Sequence, residues 1–372
     1  MSISESAIDR TTRALEADIT ATLGPDRLTL EPFVTNGRAF INDAAEFAQG
    51  LVDDVQQYFH DTFVDTTWPA CPRHPHHPLW FVNGWWCCGG DPLARLGELS
   101  SLRHRPPDVS SIDLPTGVRL DYVAQGHPDG VPVVMLHGFT DSLKSFGMVM
   151  PHLPASIRAY AVTQRGHGDS GRPSRGYRAH DFAADVAAFL DAMGHDRAVL
   201  VGHSMGATNA LRFAIDYPHR IMGLLIAATF ASYRANPAAL DFGENGVAKL
   251  EDPIDQAFVR EFQESTLAQP IPAPFLDAAI QESLKVPARV WRAAFEGFLE
   301  DDVARDLGVI TAPTLIVWGD RDSFCRREDQ DALRAALPHA RLVVYENAGH
   351  ALHWEEPERF ATEVERFAVL LK

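Results

Sequence analysis

One serine in this sequence stands in a context that favours nucleophilic chemistry. The pentapeptide Gly202-His203-Ser204-Met205-Gly206 follows a short apolar run at 198–201 and precedes a segment with helical spacing. A G-x-S-x-G sequence between a strand and a helix predicts a sharp turn that presents the serine hydroxyl above the sheet, at a helix N-terminus whose dipole favours negative charge. Such a hydroxyl can attack a carbonyl carbon when a base takes up its proton and an acid orients that base.

Two later loops carry the candidate acid and base. A predicted strand over 314–318 leads into Gly319-Asp320-Arg321-Asp322, and one over 342–345 leads into Glu346-Asn347-Ala348-Gly349-His350. The chain order serine, acid, histidine is the order expected when the serine follows a strand-to-helix turn of this kind. Both loops leave the same edge of the predicted sheet as the serine turn, so their side chains can converge there.

The elements that must position these residues alternate along the chain from about residue 118. Short apolar, β-branched runs alternate with amphipathic segments, which predicts an α/β fold with a mostly parallel sheet and helices on both faces. The predicted strands cover 131–136, 157–163, 198–201, 221–228, 314–318 and 342–345, and the predicted helices cover 181–193, 207–217, 328–337 and 357–371.

Between residues 231 and 310 the pattern is helical, broken by prolines, and contains no convincing strand. An all-helical insertion in a strand–helix series predicts a cap over the edge of the sheet. The aromatic residues of this region either line an apolar pocket beneath the cap or form the core of the cap itself. They are Phe230, Tyr233, Phe258, Phe262, Phe275, Trp291, Phe295 and Phe298.

From about residue 112 to its end, the chain resembles the α/β-hydrolase fold superfamily, in its capped serine-hydrolase form. The resemblance rests on His137-Gly138-Phe139, on Arg165 to Ser170, on the serine pentapeptide and on the two loops described above. By position it implies that Ser204 is the nucleophile, His350 the base and Asp322 the acid. It also implies an oxyanion hole made by the backbone N–H groups of Phe139 and Met205, and no cofactor.

Alternative residues exist for two of these roles. His353 lies one turn after His350, and we expect it to pack beside the site, because the glycine-preceded histidine matches the resemblance. Asp320 competes with Asp322, and we expect it to hold its own loop. His137, His167 and His203 are expected to be structural. Asp141 is expected to be a solvated turn carboxylate, with support of the oxyanion loop as the alternative.

The motif favours some reactions over others. Related folds that open epoxides or displace halide carry Asp at the nucleophile position, where this chain has Ser204. Phe139-Thr140 after Gly138 replaces the glycine-rich loop of lipases. We therefore expect hydrolysis of a carboxylic ester or lactone of a small, largely apolar substrate through an acyl-enzyme, by analogy with similar enzymes. The alternatives are a carbon–carbon (diketone) hydrolase with the same three residues and a weakly catalytic ligand sensor.

Charge and hydropathy patterning restrict the partners. The 372 residues include 33 Lys and Arg against 50 Asp and Glu, a formal net charge of −17. This balance disfavours binding to nucleic acid or to an anionic membrane surface. No run approaches the roughly 18 apolar residues of a membrane span, and the N-terminus lacks the apolar core of a signal peptide. We expect a soluble, cytoplasmic protein that acts on a small molecule.

Residues 1–110 differ from the rest and predict a separate, helical extension, with 111–372 as the hydrolase domain. Within the extension a segment rich in Pro, His, Cys and Trp allows two interpretations. One is a structural zinc site drawn from Cys71, His74, His77, Cys87 and Cys88, although the spacing matches no standard zinc motif. The favoured one is a Pro-stiffened loop whose tryptophans pack on the hydrolase domain. The extension is also a candidate surface for homo-oligomer formation.

Overall fold

A computed structural model describes residues 4–23, 28–37, 43–61, 68–71, 74–88, 91–99 and 109–371. The chain divides into two compact units, Met1–Pro107 and Asp108–Lys372. None of the described helices is both long enough and apolar enough to cross a membrane.

The first unit begins with three helices and continues with short antiparallel strands. The helices are α1 (Glu5–Leu23), α2 (Glu31–Gly37) and α3 (Ala44–Asp61). The strands are β1 (Ala70–Cys71), β2 (His74–Pro78), β3 (Trp80–Val82), β4 (Trp85–Cys88) and β5 (Asp91–Arg95). Strands β1 and β2 pair with each other, and β3, β4 and β5 form a three-stranded sheet.

Two of the four tryptophans of the first unit lie in that unit's own core, whereas Trp80 is exposed and Trp85 is half-buried. Trp68 and Trp86 are buried together, with ring centroids 5.6 Å apart, and Phe59 and Phe81 pack beside them. The expectation of a loop is wrong, because the described residues of this segment form strands; the expected packing of its tryptophans on the hydrolase domain stays a prediction. The turn between β3 and β4 has positive φ at both Asn83 and Gly84, as a two-residue hairpin requires.

A buried carboxylate connects the helical and strand parts of this unit. Asp18 of α1 accepts hydrogen bonds from Trp86 Nε1, Gly97 N and Leu99 N, each 2.7 Å long. Asp18→Ala would leave these donors without a partner, and each unsatisfied buried donor costs about 1–3 kcal/mol. We expect a lower melting temperature and faster amide hydrogen exchange over residues 91–99. The exposed Asp54→Ala is the control, and equal behaviour of the two variants would contradict this interpretation.

The second unit is built on an eight-stranded sheet with the order β13-β12-β11-β10-β8-β9-β7-β6. Its strands are β6 (Ser110–Asp113), β7 (Arg119–Gln125), β8 (Val131–Leu136), β9 (Ile157–Thr163), β10 (Ala198–His203), β11 (Ile221–Ala227), β12 (Thr314–Gly319) and β13 (Arg341–Tyr345). Strands β8 to β13 are mutually parallel, whereas β6 and β7 add an antiparallel edge.

Helices cover the sheet and form the region between β11 and β12. Residues 228–313, all of which the structure describes, contain helices and turns but no strand. The cap helices are α6 (Pro237–Asp241), α7 (Gln256–Ser265), α8 (Ala273–Leu284) and α9 (Ala288–Glu300). The other helices are α4 (Ala179–Met193), α5 (Met205–Asp216), α10 (Arg327–Ala336), α11 (Leu352–Glu355) and α12 (Pro357–Val369).

Burial explains why the central parallel strands are largely apolar. Every residue of β10 and of β12 is buried, so these strands lack the alternating pattern of a half-exposed sheet. The predicted fold class, an α/β-hydrolase fold with a helical cap and a helical N-terminal extension, is confirmed. The carboxyl ends of β8, β10, β12 and β13 meet at one edge of the sheet, and the candidate site lies there.

Candidate active site

The serine turn is a sharp, strained junction between β10 and α5. Ser204 has φ 50° and ψ −115°, and its N–H donates to Ala227 O at 2.9 Å. A positive φ is unfavourable for a residue with a side chain, and such strain is concentrated at functional sites. The helix begins at the next residue, so the hydroxyl stands at the positive end of its dipole.

The two glycines that flank this turn are required by close backbone approach. A Cβ atom at Gly202 would lie 2.5 Å from Ala207 N. A Cβ atom at Gly206 would lie 2.1 Å from Leu136 O and 2.7 Å from His137 O. The backbone at the start of α5 therefore packs directly against the backbone at the end of β8.

That contact places the two candidate oxyanion donors on adjoining segments. Met205 is the first residue of α5, and Phe139 follows the end of β8 by three residues. Phe139 also lines the cavity above Ser204. Two backbone N–H groups near a nucleophile can stabilise a tetrahedral oxyanion, and loss of one such donor typically costs about 10²–10³ in rate.

Glycines also allow close backbone contacts of the two loops that carry the candidate acid and histidine. A Cβ atom at Gly319, the last residue of β12, would lie 2.3 Å from Ala348 O. A Cβ atom at Gly349 would lie 2.6 Å from Ala268 N of the cap. A larger residue at Gly319 would push apart the loops that carry Asp322 and His350, and one at Gly349 would push the histidine loop away from the cap.

The three predicted side chains come together in one hydrogen-bonded chain. His350 Nε2 lies 2.9 Å from Ser204 Oγ, and His350 Nδ1 lies 2.9 Å from Asp322 Oδ2. The other carboxylate oxygen of Asp322 accepts the N–H groups of Phe324 and Cys325, each at 2.8 Å. These bonds fix the carboxylate, which in turn orients the imidazole so that Nε2 faces the serine.

Asp320 and His353, the alternative acid and the alternative histidine, lie outside this hydrogen-bonded chain. Asp320 Oδ1 accepts the N–H of Asn347 at 2.6 Å, so this carboxylate braces the histidine loop. His353 Nε2 lies 3.0 Å from Ser145 Oγ, and its ring packs 4.2 Å from that of His203. Burial lowers the pKa of His353 to about 3, so the ring is neutral near neutral pH.

The remaining turn histidines are buried and engaged in local hydrogen bonds. His137 Nε2 accepts the N–H of Gln164 at 2.9 Å, and His203 Nε2 lies 3.0 Å from His350 O. Burial holds the pKa values of both rings well below the usual range. Burial likewise lowers the pKa of His167 to about 4. These rings act as neutral packing groups around the site.

A cavity of about 60 Å³ lies over Ser204 and His350. A single water molecule needs about 10–15 Å³ of such space, so the cavity holds a compact group. Its wall is largely aromatic, and the lining residues found in the described part of the chain include neither Lys nor Arg. The aromatic members are Phe139, Phe230, Tyr233, Phe242, Phe262, Phe295, Phe324 and Trp354.

Both expectations for the cap aromatics hold, each for a different subset. Phe230, Tyr233, Phe262 and Phe295 line the cavity, while a second group packs within the protein. That second group consists of Phe258, Phe275, Trp291 and Phe298. Phe242 and Phe324, which sequence analysis did not single out, also line the cavity; Phe242 is stacked on Phe262 with ring centroids 5.0 Å apart.

Asp141 departs from its expected position. It is 5% exposed and lines the cavity, so the expectation of a solvated turn carboxylate is wrong. Its Oδ1 accepts a hydrogen bond from Gln263 Nε2 of α7 at 3.0 Å. The cap buries the turn that carries Asp141. The residues next to Asp141 in the sequence give no sign of this burial.

The zinc hypothesis for the first unit is only partly within the described structure. The side chains of Cys71, His74 and His77 lie outside the described residues. Cys87 and Cys88 are buried on β4. Among described side chains, the group of three potential metal ligands that lie close together is Asp322, Cys325 and His350. Burial raises the pKa of Cys325 well above its usual value, which disfavours the thiolate that a metal would need.

Fold and site together define a protein of α/β architecture whose candidate catalytic side chains converge at the carboxyl edge of a parallel sheet. Residues 131–357 match the sequence profile of the alpha/beta hydrolase fold. The chain belongs to this family.

Similar proteins include hydrolases of several kinds. The chain is 27% identical over 244 residues to a 2-(acetamidomethylene)succinate hydrolase of Mesorhizobium japonicum, covering 62% of this chain and 84% of that protein. It is 27% identical over 252 residues to an N-formylmaleamate deformylase of Pseudomonas putida, covering 66% and 90% respectively.

Among solved structures, the esterase RhEst1 from Rhodococcus sp. ECU1013 superposes with a TM-score of 0.64 at 25% identity. The match covers 71% of this chain and 99% of the esterase. The protein is therefore an alpha/beta hydrolase with esterase-like structural neighbours, and residues 1–130 lie outside the family match.

Proposed function

We propose that this protein is a serine hydrolase that cleaves a carboxylic ester or lactone of a small, largely apolar substrate through an acyl-enzyme. The observation that carries the proposal is the hydrogen-bonded chain Ser204–His350–Asp322, with both bonds at 2.9 Å, beneath an aromatic cavity. A pure binding protein has no need of a strained serine turn joined to an oriented imidazole.

In the first half-reaction His350 Nε2 accepts the proton of Ser204 as Oγ attacks the carbonyl carbon. The tetrahedral oxyanion is held by the backbone N–H groups of Phe139 and Met205. Asp322 keeps the proton on His350 Nδ1 and stabilises the imidazolium. His350 then protonates the leaving alcohol oxygen as the C–O bond breaks.

In the second half-reaction water replaces the alcohol. His350 accepts a proton from this water, whose oxygen attacks the acyl carbon and forms the second tetrahedral intermediate. Collapse of the intermediate returns the proton to Ser204 and releases the carboxylic acid. For a lactone the alcohol and acid products are parts of the same molecule.

The cavity supports an apolar and compact substrate. Its aromatic wall favours hydrocarbon groups, and the absence of Lys and Arg among its described lining residues leaves a carboxylate substituent without a partner. The two relatives are named for a succinate and a maleamate, so we expect their substrate preference to differ from that of this protein.

Pre-steady-state kinetics with p-nitrophenyl butanoate tests the proposal. We expect a burst of p-nitrophenol close to one equivalent per chain when deacylation is slower than acylation, and a steady-state rate that Ser204→Ala abolishes. A panel of phenyl esters, γ- and δ-lactones and vinylogous 1,5-diketones follows. Cleavage of the diketones alone would favour the carbon–carbon hydrolase, and binding without cleavage would favour the sensor.

A further inference from the structure

Among the described residues that line the cavity, Asp141 is the acidic one. Asp141 lies in the turn after β8 and is 5% exposed, yet it borders the same cavity as Ser204. A Cβ atom placed on Gly138, beside the oxyanion segment, would lie 3.1 Å from Asp141 Oδ2. The carboxyl group is therefore close to the segment where the substrate carbonyl would be held.

Neighbouring side chains fix the orientation of this carboxyl group. Gln263 Nε2 donates to Asp141 Oδ1 at 3.0 Å and to Ser283 Oγ at 2.9 Å. Ser145 Oγ lies 3.4 Å from Asp141 Oδ2, a long hydrogen bond. An ionised carboxylate accepts about four hydrogen bonds, so these two leave acceptor capacity for a further donor.

Ionisation of Asp141 is unfavourable for the fold. Burial raises its pKa from 3.8 to about 7, and the nearby Glu282 adds to the rise. Lys144 is the cation nearest to Glu282 and pairs with it at 2.7 Å. No salt bridge joins Lys144 to Asp141 among the described residues. The pKa of Asp141 is higher in the folded protein than in the unfolded chain. The free energy of unfolding therefore decreases as the pH rises from about 4 to about 7. A destabilising carboxylate in an active-site cavity is a candidate for a functional role.

We propose that Asp141, held by Gln263, recognises the substrate by accepting a hydrogen bond from a hydroxyl or amide N–H group that the substrate carries near its scissile carbonyl. This inference rests on the proposed function and narrows it. The substrate is then an ester or lactone with an apolar body and one hydrogen-bond donor. A carboxylate at the same place would meet repulsion from Asp141.

Matched esters test the assignment at pH 8, above the raised pKa of Asp141. The 2- and 3-hydroxybutanoate phenyl esters are compared with the 2- and 3-methylbutanoate phenyl esters, which have similar shape but no donor. For the wild type we expect kcat/KM to favour at least one hydroxy ester over its methyl counterpart by on the order of 10–10²-fold, the range expected for one hydrogen bond to a charged group. Asp141→Leu replaces the acceptor by an apolar group of similar size, and this ratio is expected to fall to about one or below.

A second variant separates recognition from general damage to the fold. Asp185 is another buried acid, paired with Arg165 at 2.6 Å, and it does not line the cavity over Ser204. Asp185→Asn is expected to lower the melting temperature while the ester ratio stays at the wild-type value. If Asp141→Leu does not fold, Asp141→Asn takes its place, and a reduced ratio is again the expected result.

Two outcomes would overturn the assignment of Asp141: a wild-type ratio near one for every pair, or a ratio that the Asp141 variants leave unchanged because both members of a pair lose activity equally. Labelling of Ser204 by a fluorophosphonate reports on the proposed function separately. A labelled wild type with no preference for hydroxy esters would refute only the inference about Asp141. An unlabelled, folded wild type would refute the proposed function itself.

Discussion

Replacement of either Ser204 or His350 by alanine is expected to lower kcat for the best ester substrate by about 10⁴–10⁶-fold, and the double variant is expected to be hardly worse. The physical reason is the single bond of 2.9 Å between Ser204 Oγ and His350 Nε2, through which the proton must move. Once either partner is lost, the other has no proton donor or acceptor to act on. Steady-state kinetics of the two single variants and the double variant measure the coupling.

His353→Ala is the matched control for the histidine. Its ring lies beside the site but bonds to Ser145 Oγ at 3.0 Å and not to Ser204. We expect this variant to lose stability and at most a modest part of its activity. Losses that multiply in the Ser204–His350 double variant would contradict the view that the two residues act as one unit.

Asp322→Asn is expected to lower kcat by on the order of 10⁴-fold at neutral pH while changing KM little. In the wild type Asp322 Oδ2 lies 2.9 Å from His350 Nδ1, whereas Oδ1 accepts two backbone N–H groups at 2.8 Å. An asparagine that keeps its oxygen on the backbone donors turns its NH₂ group toward His350. That group favours the tautomer with its proton on Nε2, which cannot act as a base.

The neighbouring Asp320→Asn provides the control for Asp322→Asn. The Asp320 carboxylate accepts a hydrogen bond from the backbone N–H of Asn347. Among the described residues, no hydrogen bond joins this carboxylate to His350. We expect a loss of stability with kcat within about tenfold of the wild type. If Asp320→Asn lowered kcat as much as Asp322→Asn, the assignment of the acid would be wrong.

The parallel strands and the site loops could be predicted because each carries a strong local signal. The predicted helix over 181–193 is α4, Ala179–Met193, and the predicted strand over 314–318 is β12, Thr314–Gly319. Buried parallel strands are short and apolar, and glycines fix the turns that follow them. The sequence therefore indicates the positions of Ser204 and Asp322, which follow the fully buried strands β10 and β12. His350 follows β13, a half-buried edge strand that still has a short apolar run over 342–345.

Other features have weak local signals. Strands β6 and β7 are half-exposed at the sheet edge and lack a continuous apolar run, so the sequence pattern does not predict them. The hairpin of the first unit has an Asn83-Gly84 turn, whose significance is obscured by the surrounding Pro, Cys and Trp. Burial of Asp141 depends on Gln263, which lies 122 residues later in the chain. No pattern around Asp141 itself encodes that contact.

Intact-mass measurement after exposure to a fluorophosphonate probe tests the central claim most directly, because the probe labels only a serine that a neighbouring base activates. The wild type and Ser204→Ala are treated side by side, with folding of both checked by thermal unfolding. We predict one adduct per wild-type chain and none on the variant. A folded wild type without an adduct, or an adduct that persists in Ser204→Ala, would contradict the assignment of Ser204 as the nucleophile.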